Sequence, residues 1–144
     1  MVREMMPQDV DRVCEIERAC FSVPWPLITV KGGPGSSLDT WLVLEEEGVI
    51  SGYCVFRIIA GEGELLRIAV LPEARGRGLS KKLMDRMVEY SIKKGAKILY
   101  LEVRESNKKA RNLYRSYGFT EEGIRKNYYL HPSENAVIMR TGRI

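Results

Sequence analysis

A short loop rich in arginine and glycine contains the residues of this sequence that most directly indicate chemistry. The run LLRIAVLPEARGRGLSKKL, residues 65–83, reads as an apolar strand, a loop and the first turns of an amphipathic helix. Such a loop exposes backbone N–H groups at the positive end of the helix dipole, and Gly76 and Gly78 allow close backbone approach. Four cationic side chains surround them: Arg75, Arg77, Lys81 and Lys82. The loop predicts a phosphate or pyrophosphate site, with a solvated basic helix entry as the alternative.

The glycine spacing excludes the two commonest phosphate-binding loops. A P-loop requires Gly, four residues and then Gly-Lys-Ser/Thr, and no such run follows a predicted strand. A dinucleotide-binding loop requires a third glycine, which Leu79, Ser80 and Lys81 do not supply. The loop instead resembles the Arg/Gln-x-x-Gly-x-Gly/Ala signature of the GNAT acyltransferases, with Ser80 in the last position. The resemblance implies that it holds the pyrophosphate of acetyl-coenzyme A.

Three further segments strengthen this resemblance. LEVRESNKKARNLYRSYGF (residues 101–119), IRKNYYL (124–130) and FSVPW (21–25) are similar to segments of the subgroup that acetylates protein N-terminal amines. That subgroup includes the bacterial enzyme for the N-terminal alanine of a small-subunit ribosomal protein, and archaeal relatives that act more broadly on nascent chains. Four motifs in the right order are a much more specific signal than any one of them.

Glu102 is the candidate general base. Acetyl transfer to an amine requires a base, because an α-amino group with a pKa near 8 is largely protonated at neutral pH. Glu102 lies in an apolar strand predicted over 98–103, on the same face as Ile98 and Tyr100. Burial there would raise its pKa toward that of a useful base, whereas the alternative is a structural ion pair with Arg104 or another cation. The family resemblance favours the base, acting through water.

Tyr114 and Asn107 are further candidates. Tyr114 lies on the inward face of a predicted short helix, where a tyrosine is usually core packing. The resemblance implies that it protonates the departing thiolate. Asn107 is predicted to cap that helix, and the family pattern also gives it a coenzyme contact.

The remaining coenzyme contacts are implied by the family pattern. The strand residues Ile68, Ala69 and Val70 are expected to offer backbone groups to the pantetheine arm and the thioester carbonyl. The residues expected to bind the pyrophosphate are Arg75, Gly76, Arg77, Gly78, Leu79, Ser80 and Lys81.

Four residues match positions that line the acceptor peptide in relatives: Pro24, Trp25, Tyr128 and Tyr129. Adjacent tyrosines of a regular strand point to opposite faces, so we expect at most one of Tyr128 and Tyr129 to face the cleft. A narrow cleft between them and Pro24–Trp25 would admit a chain end with a small first side chain.

Composition bounds the class of protein. The chain has 144 residues, 44% hydrophobic and 29% charged, as expected for one globular domain over 1–144. It has no apolar run long enough to span a membrane and no signal-peptide pattern, so we expect a cytoplasmic protein. The net charge of +4 suits a polyanionic cofactor and a ribosomal surface without indicating nucleic-acid readout.

The cysteines and the single histidine indicate no metal site, disulfide or catalytic triad. Cys14, Cys20 and Cys54 lack metal-ligand spacing, and the first two would lie about 9 Å apart along a helix, too far to bridge. They are expected to be small buried residues. His131 stands beside Pro132 in a polar loop and is expected at the surface.

Hydrophobic periodicity predicts a mixed α/β sheet. Strands are expected at 2–5, 41–44, 49–59, 65–71, 98–103, 119–124 and 136–140, and helices at 8–20, from 79 to Gly95, and from Ser106 or Asn107 to Gly118. Asp9 is the predicted cap of the first helix. The segment Pro26–Leu38 contains Gly-Gly-Pro-Gly and is expected to be a flexible loop, where relatives have an amphipathic helix.

The sequence therefore predicts a single-domain α/β GNAT fold, with a mixed twisted sheet of six to seven strands flanked by helices. The expected activity is acetyl transfer from acetyl-CoA to the N-terminal α-amine of a protein, with a ribosomal protein starting with Ala or Ser as the partner. We expect a monomer or weak dimer. The alternatives are a broader nascent-chain, lysine or small-amine acetyltransferase, and a non-catalytic acyl-CoA-binding module.

Overall fold

The protein folds around one mixed β-sheet, and the computed structural model describes all of residues 1–144. The strands are β1 (Val2–Glu4), β2 (Asp39–Glu46), β3 (Val49–Ile59), β4 (Glu62–Val70), β5 (Ile98–Arg104), β6 (Thr120–Tyr129) and β7 (Glu134–Arg140). The helices are α1 (Val10–Cys20), α2 (Leu27–Lys31), α3 (Leu79–Lys93) and α4 (Lys108–Ser116). The predicted order of strands and helices is confirmed, with α2 as an addition.

The sheet opens at its centre. Its strand order is β1-β2-β3-β4-β5-β7-β6, and every neighbouring pair is antiparallel except β4 and β5. Those two pair in parallel only over Glu62–Leu65 and Ile98–Leu101. Beyond Leu65, β4 continues to Val70 paired with β3 alone. The edge of β4 that faces β5 is therefore unpaired along its last residues.

The two faces of the sheet are covered by different helices. The Tyr53 hydroxyl of β3 donates a hydrogen bond to Glu17 of α1, which places α1 on one face. On the opposite face, the Phe56 ring of β3 contacts the Tyr90 ring of α3 edge-on at 6.4 Å between centroids. Buried apolar residues of the sheet and helices form one continuous core, as burial of both sheet faces requires.

Asp9 is the N-cap residue of α1, as predicted, but its side chain accepts no hydrogen bond from the first turn of the helix. Its carboxylate accepts hydrogen bonds from the Arg3 guanidinium, at 2.7 and 3.1 Å, and from the Met6 backbone N–H at 2.8 Å. A charge-assisted bidentate bond to arginine is stronger than a cap to a neutral amide. Asp9 therefore fastens α1 to the edge strand β1.

The expectation of a loop without a helix over Pro26–Leu38 is wrong. The five residues Leu27–Lys31 form α2, and Val30 is completely buried. The glycines that prevent a helix begin only at Gly32, which ends α2. Gly33 then packs against Trp41, leaving no room for a Cβ. A short helix forms because burial of Val30 stabilises a turn that propensity alone would not.

The hairpin of β6 and β7 is longer than the sequence indicated. The pairing of these strands extends to Tyr129 and Glu134, with irregularities between Glu121 and Gly123 and between Arg125 and Tyr129. Asn127 lies within the second irregularity with a positive φ of 52°. Because the strand is mostly exposed and irregular, it lacks the apolar alternation by which a strand is recognised.

The three cysteines are free, as predicted. Cys14 and Cys54 are buried, and the Cys20 thiol donates to the carbonyl of Val70 at 3.5 Å.

Candidate active site

The glycine loop leads into α3 in the geometry of an anion site. Gly76 and Gly78 have φ values of 81° and 73°, which favour glycine, and a Cβ built on either would meet nothing within 4 Å. Gly78 is the N-cap of α3, and no side chain caps this helix. The N–H groups of the first turn, including Leu79, Ser80 and Lys81, are therefore open to an anion. The loop is therefore geometrically suited to bind an anion.

The arginines of this loop are bound to other parts of the protein. Arg75 Nε donates to the carbonyl of Val70 at 2.9 Å, which ties the loop to the end of β4. Arg77 and Lys82 form ion pairs with Glu46 at 2.9 and 3.3 Å, and their charges lower the pKa of Glu46, mainly through the Lys82 hydrogen bond. The backbone N–H groups of the loop are thus left without side-chain partners, whereas its arginines are engaged elsewhere in the protein.

The unpaired edge of β4 lies between this loop and β5. Ile68, Ala69 and Val70 pair with β3 on one side and have no strand partner on the side of β5. Asn107 caps α4 at the far side of the opening, where its side chain accepts a hydrogen bond from Ala110 N at 3.1 Å. The cap role predicted for Asn107 is confirmed.

Glu102 lies on β5 just past the point where β4 and β5 separate. Its neighbours Leu101 and Val103 are buried on the other face, as the alternation predicted. Its side chain is 20% exposed, and Oε2 lies 3.5 Å from Arg125 Nε without a hydrogen bond. Burial raises the pKa of Glu102, with Arg125 opposing and Glu64 adding to the rise. A carboxylate with a raised pKa and an unused oxygen atom is chemically suited to accept a proton.

The cation beside Glu102 is Arg125, whereas the predicted alternative was an ion pair with Arg104 or another cation. Arg104 instead donates to the carbonyls of Leu130 and Pro132, at 3.0 and 2.9 Å, and pairs with Glu134. It therefore holds the turn between β6 and β7.

Tyr114 is buried on the inward face of α4, as predicted, with 5% of its surface exposed. Its ring packs against Phe119 at 6.0 Å between centroids. Burial raises the pKa of its phenol well above the ordinary value, so the hydroxyl keeps its proton at physiological pH. The same apolar surroundings would raise the pKa of a thiolate formed nearby, which favours proton transfer to it.

The prediction that Tyr128 and Tyr129 point to opposite faces is wrong. Their rings contact edge-on at 5.1 Å between centroids, because the irregularity before Tyr129 breaks the strand alternation. The guanidinium groups of Arg125 and Arg104 lie over the two rings, at 5.2 and 4.7 Å from the centroids. Burial raises the pKa of Tyr129 to about 12, and the nearby charge of Glu102 adds to this rise. Both tyrosines therefore lie on the side of the sheet where Glu102 lies.

A groove of about 490 Å³ runs along the sheet from Glu102. Its charged and aromatic lining residues are Arg57, Glu62, Glu64, Tyr100, Glu102 and Arg125. Arg57 is paired with Asp39 at 2.7 Å, and no ion pair engages Glu62 or Glu64. None of the residues predicted to line the acceptor peptide, Pro24, Trp25, Tyr128 and Tyr129, lines this groove.

Pro24 and Trp25 lie in the connection between α1 and α2. Pro24 is exposed and Trp25 is half-buried, and the Trp25 ring contacts the Trp41 ring edge-on at 5.6 Å between centroids. The backbone N–H of Trp25 donates to Glu17 Oε1 at 2.6 Å. This connection is anchored to the sheet rather than loose.

Sequence reasoning missed Glu17 and Arg67, whose side chains join α1 to β4. Arg67 Nε and Nη2 donate to the two carboxylate oxygens of Glu17 at 3.1 and 3.0 Å. The signal was present in the sequence. Glu17 follows Val13 and Cys14 by four and three residues on the apolar face of α1, and Arg67 interrupts an apolar strand as Glu102 does.

The comparisons with known proteins agree with this geometry. The Acetyltransferase (GNAT) family model matches residues 10–119. This chain belongs to the GNAT acetyltransferase family. Enzymes of the GNAT family transfer the acetyl group of acetyl-CoA, and the predicted N-acetyltransferase class and fold are confirmed.

Similar proteins share nearly the whole length of the chain. The ribosomal protein bS18-alanine N-acetyltransferase of Haemophilus influenzae is 40% identical over 134 residues, covering 91% of this chain and 90% of that protein. The enzyme of the same name from Escherichia coli is 32% identical over 133 residues, covering 91% and 89%. The crystal structure of the ribosomal-protein-S18-alanine N-acetyltransferase from Escherichia coli superposes with a TM-score of 0.89 at 30% identity, covering 98% of this chain and 92% of that chain.

No helix of this chain has the length and apolar character that crossing a membrane requires.

Proposed function

We propose that this protein transfers the acetyl group of acetyl-CoA to the N-terminal alanine of ribosomal protein bS18. The main structural support is the open edge of β4, which leads from the glycine loop at the start of α3 to Glu102. The choice of acceptor is supported by the relatives, which are bS18-alanine N-acetyltransferases and match this chain over about nine-tenths of their length. The enzyme would act in the cytoplasm as a monomer or weak dimer. Its partner there would be the N-terminal segment of the ribosomal protein.

Acetyl-CoA supplies the acetyl group as a thioester, and the chain offers it three binding features. The N–H groups at Gly76, Gly78 and the first turn of α3 are suited to the pyrophosphate. The free edge at Ile68–Val70 is suited to the amide groups of the pantetheine arm. The Asn107 side chain lies at the start of α4, on the other side of the opening.

Glu102 and Tyr114 have complementary roles in this proposal. Glu102 accepts the proton of the acceptor ammonium, directly or through a bridging water, so that a neutral amine attacks the thioester carbon. The carbonyl oxygen then carries the developing negative charge, which a backbone N–H of β4 is suited to stabilise. When the carbon–sulfur bond breaks, the Tyr114 hydroxyl gives its proton to the departing sulfur.

The acceptor enters between two walls in this proposal. One wall is the Pro24–Trp25 segment, and the other is formed by Tyr128 and Tyr129. A free chain end with a small first side chain can reach Glu102 between such walls, whereas a lysine in the middle of a chain must bring its flanking backbone into the same space.

The first experiment compares peptides with free and blocked N-termini. We expect mass spectrometry to show acetylation of a peptide with the bS18 N-terminal sequence and a free N-terminal Ala. We expect none for the same peptide when that amine is blocked and only lysines remain. A peptide starting with Leu is the control for the size of the first side chain and is expected to react poorly.

Two outcomes would redirect the proposal. Equal modification of blocked, lysine-bearing peptides would identify a lysine acetyltransferase instead. Binding of acetyl-CoA without transfer to any amine would identify a non-catalytic module.

A further inference from the structure

A buried charge network lies beneath the connection between α1 and α2. Glu17 is completely buried, and its carboxylate accepts hydrogen bonds from four donors. These are Arg67 Nε at 3.1 Å, Arg67 Nη2 at 3.0 Å, the backbone N–H of Trp25 at 2.6 Å and the Tyr53 hydroxyl. A carboxylate without solvent needs such partners, because an unpaired buried charge is strongly destabilising. The network is therefore fixed as a unit.

Arg67 extends from this network to the segment Phe21–Trp25. Its guanidinium carbon lies 3.8 Å from the centroid of the Phe21 ring and 4.5 Å from that of the Trp25 ring. Its Nη2 atom also donates to the carbonyl of Val23 at 3.2 Å. One side chain thus contacts three of the five residues of the segment, through ring faces and a backbone carbonyl.

Arg67 supports the most exposed part of the segment. Val23 is 54% exposed and Pro24 is also exposed, so the apolar contacts of this turn come from Phe21 and Trp25, which pack partly against the core. Arg67 itself precedes the open-edged residues Ile68–Val70 of β4. It also lies within electrostatic reach of Tyr129, as Glu102 does. Arg67 therefore connects the segment to the part of the sheet where the reacting groups lie.

We propose that Arg67 is a positioning residue of the acceptor cleft: held by Glu17, it fixes the Phe21–Trp25 segment as the wall that aligns the incoming amine. This inference rests on the proposed function, because it takes that segment to line the acceptor path. Reacting atoms must be aligned closely, and a shift of about 1 Å in a positioning element can cost up to about 100-fold in rate. The coenzyme binds along β4 and α3 and does not use this wall.

The test is Arg67→Met, which removes the guanidinium and keeps an unbranched side chain. With the free-Ala peptide, we expect the peptide KM to rise by about fivefold or more, while the acetyl-CoA KM stays within about twofold. Acrylamide should quench tryptophan fluorescence more strongly, since Trp25 loses its cover while Trp41 stays buried. Arg67→Lys keeps the charge and should recover part of the peptide KM.

Two further variants separate positioning from stability. Arg12→Met removes another arginine that ties α1 to β3, through a 2.9 Å hydrogen bond to the carbonyl of Ile50, and should leave the peptide KM unchanged. If Arg67→Met folds poorly, Glu17→Gln combined with Arg67→Met removes both buried charges. The double variant should regain a normal melting temperature and keep the high peptide KM.

Each outcome decides the inference. An unchanged peptide KM in Arg67→Met, or equal changes in the KM values of peptide and acetyl-CoA, would overturn it. A wild-type protein that acetylates lysines or small amines instead would contradict the proposed function alone, and the same KM comparison with that amine would test Arg67. If no amine is acetylated, unchanged quenching in Arg67→Met would still refute the anchoring of the segment.

Discussion

At the scale of single residues, Glu102 is under two opposing influences. Burial favours its protonated form, whereas Arg125 at 3.5 Å favours the carboxylate. The net pKa is raised, so burial outweighs the partly exposed arginine, whose charge is screened by solvent. Glu102 therefore has a greater proton affinity than an exposed glutamate has. This combination suits a base that must take a proton from an ammonium group.

Replacing Glu102 tests this role. Glu102→Gln keeps the shape and removes the proton acceptor, so we expect kcat to fall by about 100-fold at neutral pH, with acetyl-CoA affinity little changed. The deficit should shrink at alkaline pH, where the acceptor amine, with a pKa near 8, is already neutral. Steady-state kinetics from pH 6 to 10 would measure both effects.

The neighbouring carboxylate provides the control. Glu64→Gln removes a charge from the same groove without removing the proposed base, and its effect on kcat should be small. A Glu102→Gln enzyme with an unchanged rate at neutral pH would leave Glu102 as a structural partner of Arg125.

At the scale of elements, the proposed coenzyme site lies between the end of β4 and the start of α3 and depends on backbone groups more than on particular side chains. The loop between them offers N–H groups, and its arginines are engaged by Val70 and Glu46. Affinity should therefore come from the pyrophosphate and the backbone. The acetyl group should contribute little.

Ligands that carry the pyrophosphate are expected to stabilise the fold. Acetyl-CoA should raise the melting temperature, desulfo-CoA should do so nearly as well, and free acetate should not, because only the first two carry the pyrophosphate. Gly78→Val forces a β-branched residue to a φ of 73° and should abolish the rise. Differential scanning fluorimetry would measure both.

A substitution at another glycine is the control that distinguishes loss of ligand binding from the effect of backbone strain. Gly61 has a φ of 80° in the turn between β3 and β4. Gly61→Val should lower the melting temperature of the free protein and keep the rise with acetyl-CoA. No rise with either coenzyme in the wild type would refute the assigned anion site.

At the scale of the whole molecule, a single carboxylate joins the first helix to the sheet edge. Asp9 pairs with Arg3 of β1, and Arg3 also pairs with Glu45 of β2 at 3.1 Å. The hydrogen bond from Arg3 is the main cause that lowers the pKa of Asp9. Since a lowered carboxyl pKa means that the folded state favours the ionised form, Asp9 stabilises the fold above its unfolded pKa of about 3.9. That stability is lost as the pH falls through the lower folded pKa.

Asp9→Asn should therefore destabilise the protein in a pH-dependent way. We expect a loss of about 1–3 kcal/mol in the free energy of unfolding at pH 7, from hydrogen bonds to a charged group. The difference from the wild type should shrink as the pH falls below about 4, where Asp9 of the unfolded chain becomes protonated, and should be smallest below the lower pKa of the folded state. Urea unfolding at several pH values would measure it.

Asp11, in the first turn of α1, provides the comparison. Asp11 is exposed and forms no ion pair, so Asp11→Asn should have little effect at any pH. A loss in Asp9→Asn that is the same at pH 3 and pH 7 would contradict the electrostatic origin.

The sequence by itself determined the features that depend on neighbours along the chain. Strand and helix order, the cap at Asn107 and the inward face of Tyr114 follow from periodicity and capping, which act over a few residues. Alternation along β5 is equally local, and it is sufficient to place Glu102 on the face opposite its buried neighbours. The four motifs taken together, in their order along the chain, were sufficient to predict the family.

Only the tertiary structure decided the features that depend on which distant residues meet. One such feature is the place where β4 and β5 separate. Two others are the pairing of Glu102 with Arg125, 23 positions away, and that of Glu17 with Arg67, 50 positions away. The alternation that predicted opposite faces for Tyr128 and Tyr129 failed at an irregularity set by pairing with β7. Local propensity contains no information on such register or burial, because the free energy that fixes them arises only when the sheet and helices pack together.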